Sequence, residues 1–487
     1  MKVEKTKTLC YGHFNTIHAG HIRYLRYGLT LGDELYIALR GDGEHNRYDF
    51  PQKERKEALT MLRMADEIIS LCDDELEAVV NELKPNVILL GAEFKKESWV
   101  TPIIDRADRY GGKVIFHSGT VGQVSEDLIG KDESSLSSSR RLEFLEALSR
   151  QSICRDDLLS SIDSWRVASL IVVGDTILDQ FVACDALGLS AEAPVVVVKE
   201  LRNKSFIGGA AIVAAHIRSL GCNCSFVSVT GEDPEAEIIE NELSQWGVAT
   251  SLIKDRGRPT TVKKRYVVGN QKLFRVSRLE ERDIDIDIEN EVISRLRILA
   301  EGADGIVVSD FNYGAITKRV LDEIMSLKEK YGLKLFGDSQ SSSQIGNLSR
   351  LKSFTLLTPN EREARQACGT KDWGVEKLAN ELFQTCSCKE LIMKLGADGF
   401  ITYSRTANGG VVNQQFPALT ANPVDVAGAG DSLLSVMAAG ICSGQKTMIT
   451  SAVAACMASM AVSTMGNKPI SNARLKRYIE SIFQRIE

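Results

Sequence analysis

No stretch of this 487-residue chain reaches the ~20 consecutive apolar residues that a membrane-spanning helix requires. The best candidate, Ala452 to Met465, is short and rich in Ala and Ser, and reads as a buried helix. The opening MKVEKTKTLCYG lacks the apolar core of a signal peptide. CxxC pairs are missing as well. Eleven cysteines are scattered, and only Cys222/Cys224 and Cys386/Cys388 are close, which gives no zinc-finger spacing. Without an export signal, reduced thiols in a cytoplasmic protein are expected. A basic excess is also absent: the net charge is −6 and no basic stripe stands out, which argues against nucleic-acid binding. Histidine is scarce. Six serve the whole chain, yet three fall between His13 and His21.

What is present is the texture of a soluble enzyme, 44% hydrophobic and 25% charged. The chain is too long for one core, so more than one domain is expected. The boundary is sought in KDESSLSSSRR, Lys131 to Arg141, where five serines in six positions cannot build a core, so a linker or the exposed start of a helix is expected. This divides the chain into 1–132, a linker at 133–150, and 151–487. Both halves alternate strand and helix. TKTLCYGHF, DELYIALRGD, NVILLGAEF and KVIFHSG read as strands in the first half, with helical spacing from Ile22 to Leu31. ASLIVVGD, CSFVSVTGED, GIVVSDF, LKLFGDS, SFTLLTPN and LIMKLGADGF read so in the second. Two α/β domains with parallel sheets are the expected fold class.

In LCYGHFNTIHAGHIRYL a strand, a glycine turn and a helix follow one another, with His18 and His21 on one helix face. Gly20 between them allows close backbone approach. Imidazoles at the carboxyl end of a parallel strand can stabilise the charge of a triphosphate under attack. Taken alone, the pair also suits two surface histidines or half a metal site. The whole stretch resembles the signature GxFDxxHxGHxxxL of the cytidylyltransferase-like nucleotidyltransferases, and the likeness continues through PQKERKEAL to KPNVILLGAEFKK. The resemblance implies a Rossmann-like domain that moves a nucleotidyl group from ATP or CTP to a phosphate ester. It implies that His18 and His21 are catalytic, and that Gly12, Phe14, Asn15 and Arg55 lie at the nucleotide. Asn15 replaces the usual Asp, Asn46 stands where a lysine is common, and only Ser125 survives of a late Ser/Thr motif.

Near the other end, NPVDVAGAGDSLLSVMAAG places Gly428, Ala429 and Gly430 as an anion nest at a helix start. Asp431 follows, where a general base could take a hydroxyl proton and where a capping Asp would look the same. SFIGGAAIVAAHIRSLG, TPNEREA and KLGADG occur with it in the order found in the ribokinase-like sugar kinases, the PfkB family. That resemblance implies a ribokinase-like α/β domain with a small β-lid. It makes Asp431 the base, Gly428–Gly430 the anion hole, and Asn360 with Glu363 the organisers of Mg²⁺ and phosphates. Gly396 and Gly399 would lie beneath the adenosine of ATP. Asp179, Gly208, Gly209, Lys263 and Arg265 would hold the sugar.

A sugar kinase joined to a nucleotidyltransferase is similar to the fused heptose 7-phosphate kinases / heptose 1-phosphate adenylyltransferases of ADP-heptose synthesis, in reversed order. Four departures cluster where the sugar belongs: Ile212 for Asn, Gly188 for Arg, and Tyr313 and Gln340 for lysines. They remove positive charge suited to a phosphorylated sugar. The expected partners are therefore a sugar or sugar phosphate and nucleotides, with no nucleic acid and no membrane, and a homodimer as the expected state.

Overall fold

A computed structural model describes all residues except 1–4, 15–16, 18, 43–49, 73–75, 92–93, 95–96, 118–132, 191, 193–194, 270, 341–346, 371–372, 407–409 and 485–487. The chain folds into two compact units: Met1–Asp132 with Cys368–Glu381, and Glu133–Ala367 with Leu382–Glu487.

The first unit is built on five parallel strands, β1 (Lys7–Gly12), β2 (Glu34–Leu39), β3 (Glu67–Ser70), β4 (Val87–Gly91) and β5 (Lys113–His117). Their order is β3-β2-β1-β4-β5. Such an order reverses direction between β1 and β4, and the crevice at that reversal is where open α/β sheets bind ligands. In β1 and β4 every residue except the two at the ends is buried, as strands covered on both faces must be. The Tyr24 hydroxyl ties the helix Ala19–Leu29 to both: it meets the Tyr11 amide and carbonyl at 3.1 and 3.0 Å and donates to Leu89 O at 2.6 Å.

The second unit carries two sheets. Its strands are β6 (Ser169–Gly174), β7 (Thr176–Leu189), β8 (Val196–Gly209), β9 (Asn223–Thr230), β10 (Ala249–Lys254), β11 (Thr261–Val268), β12 (Gln271–Arg278), β13 (Gly305–Asp310), β14 (Lys334–Ser339), β15 (Leu356–Leu357), β16 (Glu390–Lys394), β17 (Phe400–Arg405) and β18 (Val411–Phe416). The large sheet runs β10-β9-β6-β13-β14-β15-β16-β17-β18, parallel until the last two antiparallel strands. The small sheet, β12-β11-β7-β8, is the β-lid. The lid residues Lys263 and Arg265 lie on β11, which pairs with β12, while the long β7–β8 hairpin was not foreseen. Helices Ala210–Ser219, Ala429–Cys442 and Thr447–Val462 supply much of the core; the last is the buried helix expected near Ala452.

Of the two forms expected for the serine-rich stretch, the start of a helix is the one seen. Residues 133–150 form one helix, Glu133–Arg150, and Phe144, Ala147 and Leu148 enter the core of the second unit. The serine run hid the apolar i, i+3, i+4 set that follows it.

Candidate active sites

In the first unit, the glycine turn after β1 leads into the histidine helix. Phe14 is buried at 2% exposure with φ 49°, and its ring lies 5.0 Å from that of His21. Gly12 has no room for a side chain, because a Cβ would fall 2.9 Å from the Phe14 ring. Asn15, His18, Asn46 and Ser125 lie outside the described residues. Arg55 lies between the loops after β1 and β2, where its guanidinium is engaged with the protein itself. Nε donates to Phe50 O at 2.9 Å, Nη1 to His13 O, and Nη2 to Arg40 O at 3.1 Å and Asp42 Oδ1 at 2.7 Å. Buried at 1% exposure, it braces the loops after β1 and β2. A buried guanidinium needs partners, and three backbone carbonyls and the Asp42 carboxylate supply them here.

In the second unit, the predicted residues converge from distant parts of the chain. Gly428, φ 82°, opens the helix Ala429–Cys442, and a Cβ there would overlap Asn467 Oδ1 at 1.7 Å. The left-handed turn aims the first helical amides outward. Asp431 follows, buried, with Oδ1 lacking a hydrogen-bond partner. Burial and the nearby Asp338 carboxylate push its pKa up to about 7, against the opposing pull of Lys394 and Lys263. Two residues unforeseen from sequence complete this centre. Asp338, at the end of β14, accepts from Thr358 Oγ1 at 3.0 Å and from Lys394 Nζ at 2.8 Å. Lys394, at the end of β16, feels burial lowering its pKa, yet Asp338, Glu363 and Asp431 hold it above the usual lysine value. Both ended expected strands, at the sheet edge where ligands gather; that position was the available signal.

Asn360 and Glu363 grip each other. Asn360 N donates to Glu363 Oε2 at 2.8 Å and Glu363 N to Asn360 Oδ1 at 2.9 Å, a reciprocal cap on the helix Glu361–Ala367. The described residues contain no cluster of three or more His, Cys, Asp or Glu fit to hold a metal ion. Asn360 and Glu363, expected near Mg²⁺, also form this cap. Asp338 Oδ2 is a further hard oxygen at this centre, buried without a hydrogen-bond partner.

A cavity of about 330 Å³ opens beside this centre. Lys394, Ala429 and Gly430 line one part of it. Gly396, Gly399 and the segment Pro417–Ala421 form its largely apolar wall. Gly396 (φ 66°) and Gly399 (φ 84°) shape the tight turn after β16, and a Cβ on Gly399 would meet Phe416 O at 2.1 Å.

On the lid, Asp179 (β7) accepts from Arg265 (β11), and Lys263 is its register partner. Gly208 and Gly209 end β8; a Cβ on Gly208 would lie 2.5 Å from Asp179 Oδ2, and one on Gly209 2.4 Å from Asp175 O. Lys263, only 5% exposed, sits 5.0 and 5.2 Å from the ring centres of Phe311 and Tyr313. Asp175 fixes the loop bearing those rings, accepting from the amides of Phe311, Tyr313 and Ala315 at 2.8, 3.3 and 3.2 Å. Burial raises its pKa. Burial and Asp175 together push Asp310 up to about 7. Ile212 is fully buried among core residues, while Gly188 is exposed on the lid with φ 108°.

Residues 167–473 match the model of the pfkB family carbohydrate kinases, and residues 9–108 match that of cytidylyltransferase-like proteins. The Bifunctional protein HldE of Pelobacter propionicus is 29% identical over 325 residues, 66% of this chain and 65% of that protein. That of Geobacter sulfurreducens is 30% identical over 309 residues, 63% of this chain and 61% of that protein. The chain thus spans less than two thirds of the length of either relative. Among solved structures, phosphofructokinase-2 from Escherichia coli in complex with substrates and products aligns with TM-score 0.54 and 16% identity, over 65% of this chain and 99% of that one. Arabidopsis thaliana ribokinase complexed with ribose and ATP aligns with TM-score 0.51 and 20% identity, over 64% and 99%. At these identities the likeness is one of fold.

Proposed function

We propose, for a chain that belongs to the pfkB family of carbohydrate kinases and carries a cytidylyltransferase-like domain ahead of it, two transfers on one polypeptide. The second unit phosphorylates a sugar or sugar phosphate with ATP. The first transfers a nucleotidyl group from ATP or CTP to a sugar phosphate and releases pyrophosphate. The observation that carries the reading is the placement of Asp431. It is a buried carboxylate poised near neutrality, behind a left-handed Gly428 turn, at the Lys394 end of a largely apolar cavity. A base beside an anion nest and a slot for a flat purine are the parts phosphoryl transfer needs.

In this mechanism the nucleotide base enters the cavity and its phosphates meet Lys394 and the amides at Ala429 and Gly430. Asp179 orients the acceptor and Asp431 takes its hydroxyl proton. Mg²⁺ would arrive with the nucleotide, keeping waters and using Asp338 as a protein oxygen. At the β1/β4 crevice, His21 and its motif partner His18 stabilise the triphosphate during nucleotidyl transfer.

The acceptor is proposed to be less anionic than heptose 7-phosphate. Arg265 is committed to Asp179, and Lys263 lies against the rings of Phe311 and Tyr313. Neither is a free distal cation, and Tyr313 and Gln340 add none. A cytoplasmic location and a homodimer complete the proposal; among the described residues no helix is long and apolar enough to cross a membrane. A panel of sugars and sugar phosphates with each NTP, read by mass spectrometry, tests the whole reading. Products bearing neither a new phosphate nor a nucleotidyl group would overturn it.

A further inference from the structure

The helix Glu133–Arg150 precedes the residues matched to the kinase family, yet it touches the kinase cavity. Arg140 lines that cavity, and its Nη1 donates to Thr420 O at 2.5 Å and Ala418 O at 3.2 Å. These carbonyls belong to the wall Pro417–Ala421, which has no strand or helix of its own to hold it. Four residues along the helix, Phe144 packs 6.4 Å from Phe416, which packs 5.6 Å from Phe400 on the opposite flank of the Gly396–Gly399 turn. Gln151 then meets Gln414 of β18 at 3.1 Å. The helix is therefore laid along β18 and the wall that continues it, with Arg140 as the contact at the cavity itself.

We infer that Arg140 is a positioning residue for the kinase nucleotide, fixing the Ala418–Thr420 wall against which the base lies. The inference rests on reading this cavity as the nucleotide pocket. A guanidinium holding two carbonyls sets the width of the slot, so losing it loosens the wall and weakens base binding. The phosphate end, built from Lys394 and Gly430, is left intact.

Titration calorimetry of ADP into the full-length chain tests this with four variants. Ala458→Trp fills the cavity and should abolish the heat of ADP binding. Arg140→Ala should raise the Kd at least tenfold, and Arg140→Lys, which can still donate to the carbonyls, should recover most of that loss. Arg141→Ala removes a bond of the same helix to Ile482 O, outside the cavity, and should leave the Kd within twofold. If Ala458→Trp binds ADP normally, the cavity is not the nucleotide site and the pocket reading itself falls. If Ala458→Trp blocks binding but Arg140→Ala stays within twofold of wild type, or Arg141→Ala weakens ADP as much, the positioning role falls alone.

Discussion

Lys394 Nζ lies 2.8 Å from Asp338 Oδ1, and the same ammonium pulls down the pKa of Asp431, which Asp338 pushes up. The base of the proposed transfer is thus tuned by a neighbouring ion pair rather than by one partner. Removing the base should expose its role. Asp431→Asn is expected to lower ADP formation by ~10²–10⁴-fold, the usual loss on deleting a general base. Nucleotide affinity should stay within a few-fold, as read by ADP titration. Activity within threefold of wild type would remove Asp431 from that role.

The pH profile follows from the same tuning. Asp431 must be ionised to accept a proton, and its pKa is about 7. Kinase kcat/KM should therefore fall about tenfold per pH unit below ~7. In Lys394→Met the opposing ammonium is gone, so the acid limb should move to higher pH. The stability effect has the opposite sense. A carboxyl whose pKa is raised on folding holds its proton longer in the native state, so its contribution is full below the unfolded value of about 4 and fades as pH rises through ~7. A rate profile flat from pH 5 to 8 would contradict the assignment.

The two activities should separate by chemistry. His21→Ala is expected to cut pyrophosphate release ~10²-fold or more, as loss of one transition-state contact does, while ADP release stays unchanged. Equal losses in both assays would show that the histidine supports the fold, not the transfer.

Substrate charge gives a further check. With Arg265 held by Asp179 and Lys263 against the rings of Phe311 and Tyr313, kcat/KM should favour an unphosphorylated or differently phosphorylated sugar over heptose 7-phosphate. A preference for heptose 7-phosphate of a hundredfold or more would mean that other residues grip its phosphate.

The helix Glu133–Arg150 belongs to the second unit, so a cut that separates the units falls before it. A chain of 133–487 should fold with kinase activity, whereas 145–487 loses Phe144, which is fully buried. Deleting a buried Phe side chain typically costs ~3–5 kcal/mol. A lower melting temperature for 145–487 in differential scanning fluorimetry is the expected result, and equal melting would show the helix to be ornamental.

Much of this was legible before any coordinates. The strongly apolar strands β1, β4, β6, β13 and β16 announced themselves, as did the two glycine-rich helix starts. β3 did not: its EIIS is four residues long and incompletely buried, so it lacks the run that marks a covered strand. β7 and β8 mix charged and apolar residues because the lid faces solvent along much of its length. At the sites, Asp431, Gly428 and Asp179 were readable from motifs. Asp338 and Lys394 were not, because each matters through a partner 56 positions away. The bracing role of Arg55 was hidden for a related reason: its protein acceptors come from the loops around it and are not visible in the motif.

Asp175 holds the loop after β13 by three main-chain amides, and Arg258 holds the Tyr313 carbonyl from the other side at 2.9 Å. None of these bonds involves a side chain of residues 311 to 315. The turn itself still depends on Asn312, whose Nδ2 donates to Gln340 O at 2.9 Å, and on Gly314 at φ 88°, but the backbone at Tyr313 is held without help from its ring. A lineage could exchange the ring of Tyr313 for a cation, or back again, without first reinventing the backbone that presents it. In that sense the loop is an exchangeable fitting, and the kinase can change its taste in sugars by single steps.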